Sequence, residues 1–104
     1  MNIMNQIELS AKVLKALGHP IRYKIVKFLL DEPKCVCKLT EDVEFSQSNL
    51  SQHLKILKEA GVLVSERVGL NVHYRISSEK VKAIIELTDE FAIAHIKSIQ
   101  ESII

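Results

Sequence analysis

Cys35 and Cys37 stand one residue apart between Lys34 and Lys38 in a chain of 104 residues, and they are its only cysteines. A single intervening residue closes too small a loop to staple a fold, so the pair is expected to carry local chemistry. Thiolates are soft ligands and nucleophiles. They take soft, thiophilic metal ions, or they oxidise to a disulfide or persulfide. Flanking lysines and a helix start would hold positive potential there and favour the ionised thiol. A second set of residues is polar: Gln47, Ser48, Ser51, Gln52, Lys55 and Lys58 share a stripe opposite Leu50, Leu54 and Leu57. Amides and hydroxyls on one helix face pair with base edges, and ammoniums pair with phosphates. A solvated helix face has the same composition, so the stripe alone leaves both readings open. Motifs for enzyme chemistry are missing: there is no CxxC, P-loop, HExxH or Ser/His/Asp arrangement, and no alternating strand-helix pattern for a thioredoxin-like sheet. The chain is read as not an enzyme.

The elements that must position these residues follow from periodicity. Ile3, Ile7, Ala11, Leu14 and Leu17 recur at helical spacing, and Gly18 is expected at the C′ position that ends the first helix. Pro20 opens a second helix with Ile21, Ile25, Phe28 and Leu29 on its apolar stripe, and Pro33 breaks it. Residues 34–44 read as a short third helix with Val36, Leu39 and Val43 inward. Phe45 and Ser46-Gln47-Ser48 form a turn and N-cap before a fourth helix that runs to Gly61. From Val62 the period becomes two. Val62 and Val64 alternate against Leu63 and Ser65, a turn falls at Gly69-Leu70-Asn71, and Val72, Tyr74 and Ile76 form the return strand of a β-hairpin. Ser77-Ser78 then caps a last helix in which Val81, Ile84, Ile85, Phe91, Ala92, Ile96, Ile99 and Ile103 cover more than half the circumference.

Composition fixes the class. With 47% hydrophobic and 26% charged residues, the chain reads as one globular domain, 1–104, and the disordered and low-complexity classes are excluded. Its apolar runs are far shorter than the roughly 20 residues of a membrane span, and the N-terminus has no secretion signal, so no membrane association and a cytoplasmic location are expected. Net charge is only +1, which by itself does not argue for nucleic acid, but residues 45–75 carry a slight positive excess and residues 76–104 a negative one. One small domain has too little surface to cover the last helix. A second copy across a two-fold axis is the expected cover, giving a homodimer with Ile3 and Ile7 adding to the seam.

Helix, helix, helix, hairpin, helix is the order of a winged helix-turn-helix: mainly α with a β-hairpin wing, dimeric through N- and C-terminal helices. On this reading residues 34–60 are the helix-turn-helix, 62–76 the wing, and 1–17 with 78–104 the dimerisation helices. Three blocks, ALGHPIRYKIV at 16–26, FSQSNLSQHLKIL at 45–57, and AGVLV at 60–64 leading to VHYRI at 72–76, resemble the ArsR/SmtB family of small dimeric repressors. The resemblance implies double-stranded operator DNA as partner. It assigns recognition to Ser46, Gln47, Ser48, Ser51, Gln52 and His53, with Lys55 on a phosphate. At the wing tip, where the family usually has Gly-Arg, this chain has Gly69-Leu70-Asn71, leaving Arg67, Asn71 and His73 as wing candidates.

Lys34-Cys35-Val36-Cys37-Lys38-Leu39 similarly resembles the Leu-Cys-Val-Cys-Asp-Leu box of arsenic- and cadmium-responsive members, which implies inducer binding at Cys35 and Cys37. Some members add a third cysteine where this chain has Thr40. The third group on the ligand is therefore expected to be non-protein, or a non-cysteine side chain, or else the pair senses oxidation or persulfide. On a regular helix, residues two apart point about 200° from each other, so joint ligation is expected to unwind the start of the third helix. The family's other metal site, on the last helix, is expected to be absent, because Lys82, Ile84 and Ser98 stand at its ligand positions. His95 then belongs to an interface, and His19 is structural or solvated. A winged-helix protein-interaction adaptor that has lost DNA binding is the remaining alternative.

Overall fold

The computed structural model describes residues 5–42, 45 and 49–103. Helix α1 spans Gln6–Leu17, and Asn5 caps it by accepting the Glu8 N–H at 2.8 Å. Gly18 follows as the C-cap, one place earlier than the C′ position read from the sequence, with φ of −81°; its N–H bonds the Lys15 carbonyl at 3.2 Å. What Gly18 supplies is space, since a Cβ there would stand 3.2 Å from the Leu14 carbonyl oxygen. The His19 ring then caps α2, Pro20–Phe28, by accepting the Ile21 N–H at 3.1 Å on Nδ1, with Pro20 in the first turn as read. Helix α2 ends at Phe28, well before Pro33, because the Leu29 N–H bonds both the Ile25 and Val26 carbonyls and tightens the last turn.

The third helix begins later than expected. Lys34–Cys35 is a short strand, β1, antiparallel to the hairpin with Lys34 opposite Tyr74 and Cys35 opposite His73. Only Val36–Glu41 forms α3, with Leu39 fully buried and Val36 packed beside it; Val43 lies outside the described residues. The free edge of the hairpin strand attracts β1, a long-range pairing that helical periodicity cannot register. Helix α4, Leu50–Glu59, buries Leu50, Leu54 and Leu57 as read and stops before Gly61, whose φ is +80°. Its N-cap residue is Asn49, whereas the expected cap at Ser46 to Ser48 lies outside the described residues.

Strands β2, Leu63–Val68, and β3, Asn71–Ile76, complete a sheet of order β1-β3-β2. The turn is the two residues Gly69 and Leu70, with Gly69 at φ +63° as such a tight hairpin requires, and Asn71 already belongs to β3. One alternation is shifted. Leu63 lies opposite Ile76 and is buried, while Val64 lies opposite Arg75 on the other face. Val62 precedes the strand, held by bonds to the Leu57 carbonyl and from the Ser77 N–H, so Val62 and Leu63 both reach the core.

Helix α5 runs through Glu79–Ile103, about 37 Å of rod. Only its first turns, through Val81 and Ile85, enter the core with Ile25, Val26, Leu29, Leu39 and Leu57. Each such side chain stabilises the fold by roughly 1.5–3 kcal/mol, which fixes α4 with its leucines inward and its polar stripe outward.

A polar tie joins α2 to α5. The Tyr23 hydroxyl donates to Asp89 at 2.6 Å, and Lys27 pairs with the other carboxylate oxygen at 3.0 Å. Burial, then Asp89, pushes Tyr23 up to about 12, while the Tyr23 hydrogen bond and Lys27 hold Asp89 below its ordinary value. Asp89, depressed in the fold, contributes fully above the ordinary carboxylate range and loses that contribution as pH falls through its folded value. Tyr23, raised, contributes fully below its ordinary value and loses it as pH rises towards 12. Asp89→Asn is expected to lower the melting temperature by about 2–5 °C at neutral pH, a gap that closes in acid; thermal melts from pH 3 to pH 7 check it.

Candidate nucleic-acid interface and thiol pair

The outward face of α4 carries Ser51, Gln52, Lys55 and Lys58, all exposed. Ser46, Gln47 and Ser48, the other recognition residues read from the sequence, lie outside the described residues. His53 does not join this face. It is half-buried, its ring centroid is 4.6 Å from that of His19, and Nη1 of Arg22 stands 3.4 Å from its Nδ1. Burial first, then the His19 and Arg22 charges, lower the His53 pKa. Arg22 itself donates from Nε to the Ala16 carbonyl at 2.6 Å, at the C-terminal end of α1. The His53 side chain thus packs at the α1–α2 corner, and not on the exposed face with Ser51 and Gln52. Arg22 was missed in the sequence. Its signal was a lone cation four residues after Gly18, where the last carbonyls of α1 need donors.

The wing separates its three candidates. Arg67 and Asn71 are exposed near the turn. His73 is half-buried opposite Cys35, in the middle of the sheet, so it belongs to the thiol neighbourhood and not to the tip. The tip itself is apolar, with Leu70 96% exposed.

Cys35 is the N-cap of α3, in extended conformation at φ −65° and ψ 145°, and Cys37 is the second residue of the helix. Their Cα atoms are 5.1 Å apart, a disulfide joins them, and the Cys35 sulfur accepts the Cys37 N–H at 3.2 Å. This overturns the expected unwinding, because Cys35 lies outside the helix and the two sulfurs meet with α3 intact. Positive potential is also smaller than read: Lys34 pairs with Glu32 at 3.0 Å and Lys38 with Glu41 at 3.8 Å. Cys35 borders a hollow of about 430 Å³ walled by Phe28, Pro33, Lys38, Glu41 and His73. Among the described residues no three His, Cys, Asp or Glu side chains are placed to hold a metal ion. Each sulfur is engaged with the other in the disulfide, so the pair has to be reduced before it can hold a ligand.

Elsewhere, Gln6, Leu9, Ser10, Val13 and Leu14 of α1 and Ile84 of α5 line an apolar groove of about 410 Å³. Beyond it α5 exposes Leu87, Phe91, Ile96, Ile99 and Ile103, and Ile7 of α1 is also bare; Ile3 lies outside the described residues. His95 stacks on Phe91 with centroids 5.9 Å apart.

Residues 19–65 match a family described as bacterial regulatory protein, arsR family. The chain is 39% identical over 88 residues to an uncharacterized HTH-type transcriptional regulator of Methanocaldococcus jannaschii, a match covering 84% of this chain and 99% of that one. It is 38% identical over 79 residues to the HTH-type transcriptional repressor SmtB of Mycobacterium tuberculosis, covering 76% of this chain but only 58% of that one. Among solved structures it is similar to HlyU from Vibrio cholerae, with a TM-score of 0.74, 35% identity and coverage of 86% of this chain and 97% of that one. HlyU is named a transcriptional activator.

Proposed function

The chain belongs to the arsR family of bacterial regulatory proteins, and we propose that it is a homodimeric repressor which leaves its operator when a thiophilic inducer closes on Cys35 and Cys37. It is a transcriptional regulator with a winged helix-turn-helix fold, and not an enzyme. The observation that carries the proposal is the adjacency of the two sulfurs at a point where β1 and α3 both lean on the wing strand β3. A trivalent arsenical or soft metal bound there would press on β3 through Cys35 and its partner His73, and on α3, the helix ahead of α4. That route replaces helix unwinding. Repression needs only occupancy: a dimer lying across a promoter with α4 in successive major grooves, about 34 Å apart, excludes the polymerase. No helix among the described residues is long and apolar enough to cross a membrane.

A second reading keeps the same fold and pair but takes oxidation or persulfidation as the signal. It is favoured by the disulfide itself, since sulfurs placed to share one arsenic are also placed to bond each other.

The DNA half of the proposal is tested on α4. Gln52→Ala is expected to lose roughly 1–3 kcal/mol of discrimination between operator and random duplex. Lys55→Ala should weaken both duplexes alike and reduce the salt slope by about one unit. Gel shifts over a salt series separate the signatures, and identical behaviour of the two variants on both duplexes would remove the base-contact assignment.

A further inference from the structure

We infer that His19, His53 and Arg22 form a proton-operated clasp behind the DNA-reading helix, so that acid alone uncouples α4 from the α1–α2 corner and weakens the operator complex. The inference rests on α4 as the DNA-reading helix proposed above and on nothing at the cysteines. Hydrogen-bond direction carries it. The Ile21 N–H can only donate, so the His19 Nδ1 that lies 3.1 Å from it holds no proton. A guanidinium also can only donate, so the His53 Nδ1 that stands 3.4 Å from Nη1 of Arg22 is bare as well. Both rings are therefore Nε2–H tautomers whose place for a second proton is already in use as an acceptor. Their centroids are 4.6 Å apart, so a second imidazolium would form against the first.

Protonation turns each acceptor into a donor. At His19 the cap of α2 is lost, and at His53 a cation comes to face the Arg22 guanidinium. Arg22 is the fixed side of the clasp, since its Nε donates to the Ala16 carbonyl at 2.6 Å and its Nη2 to the Lys15 carbonyl at 3.4 Å, at the negative end of α1. The charges that act on the His53 ring are those of His19 and Arg22, and β2, packed on the same helix, adds none among the described residues. In the adjoining hollow Glu59 of α4 is outnumbered by Lys12 and Lys15 of α1 and by Arg22 itself. His53, held below the ordinary histidine value, contributes its stability fully above that value and loses it as pH falls through the folded one. The side that yields is α4. Leu54 and Leu57 keep it in the core, so the freed helix loses its alignment and not its fold. Reading base edges needs that alignment, whereas attraction to phosphates does not.

The test measures the affinity of the full-length protein for an operator fragment and for a random duplex of equal length, from pH 7.5 to pH 5.5 at fixed ionic strength. Operator affinity should fall by about tenfold or more over that span, while affinity for the random duplex holds or rises as the protein gains positive charge. His19→Asn with His53→Gln keeps an acceptor at both places without a titrating ring. Its operator affinities at the two pH values should agree within about twofold, whatever their absolute level. In the parent without DNA, nuclear magnetic resonance should show the Ile21 amide and the His53 ring shifting in the same titration. Operator affinity that is level or rises in acid, or an undiminished fall in the double variant, overturns the inference and leaves α4 as the DNA-reading helix. Should the double variant not fold, the parent titration decides, and an Ile21 amide that ignores histidine protonation overturns the inference. Equal affinity for operator and random duplex at every pH overturns the DNA-reading role and this inference together.

Discussion

Leu14→Glu combined with Phe91→Glu is expected to leave a folded monomer at micromolar concentration and to weaken operator binding by about two orders of magnitude or more. Both side chains are largely exposed in the single chain, 63% and 73%, so neither substitution costs the core anything. What they cost is the second copy. A stable dimer interface needs on the order of 1,000 Å² or more of well-packed surface, and the groove between α1 and α5 with the bare apolar length of α5 is the face of this molecule that can supply it. Two carboxylates per protomer, four across the seam, would be buried there without partners. The loss on DNA follows from linkage, since one protomer on one half-site no longer holds its partner at high effective concentration over the other. Sedimentation gives the mass, far-ultraviolet circular dichroism the fold, and gel shift the affinity. A variant that stays dimeric and binds normally would place the seam elsewhere.

How much of this was legible beforehand depends on the range of the force that decides each feature. The leucines of α4, Pro20 at the start of α2, and the hairpin with Ile76 inward are set by local periodicity and capping, and the sequence states them. Features set by another segment were hidden. Cys35 looks helical from its neighbours, yet the unpaired edge of β3 draws it into a strand, and this one pairing both brings the two sulfurs together and moves His73 from the wing to the thiols. Similarly, the motif around His53 gave no sign that its ring packs beside His19, the N-cap of α2, and Arg22 within α2. The outward placement of Ser51, Gln52 and Lys55 was legible because it follows from the inward leucines of the same helix. Gly18 shows the reverse case, in which the residue was read correctly as a helix end while what it supplies there, room beside the Leu14 carbonyl oxygen, was not visible in the sequence.

Cys35→Ser with Cys37→Ser is expected to keep operator affinity within about threefold of the parent and to lose every response to arsenicals, cadmium, diamide and polysulfide, where the parent loses roughly 5- to 150-fold in affinity. Retention of the fold has a specific basis. The Cys35 sulfur caps α3 by accepting the Cys37 N–H, and a serine hydroxyl is a strong acceptor at the same position. Retention of binding follows because neither thiol lies on the face formed by Ser51, Gln52 and Lys55. Loss of response follows because no other cysteine exists to take a soft ion or to oxidise. Coupling must also be mutual: if inducer lowers DNA affinity by a given factor, operator DNA lowers inducer affinity by the same factor, which calorimetry on free and DNA-bound protein can compare. The single variants sort the two signals. Cys37→Ser leaves one thiol, which can still be persulfidated but cannot form the internal disulfide or chelate arsenic through two sulfurs. A Cys37→Ser protein that polysulfide still releases, and phenylarsine oxide does not, would make persulfide at Cys35 the operative signal. Release of the double variant by any of the four reagents would move the sensor away from α3 altogether, and the remaining soft donor on a dimer-forming helix, His95 against Phe91, would be the next residue to replace.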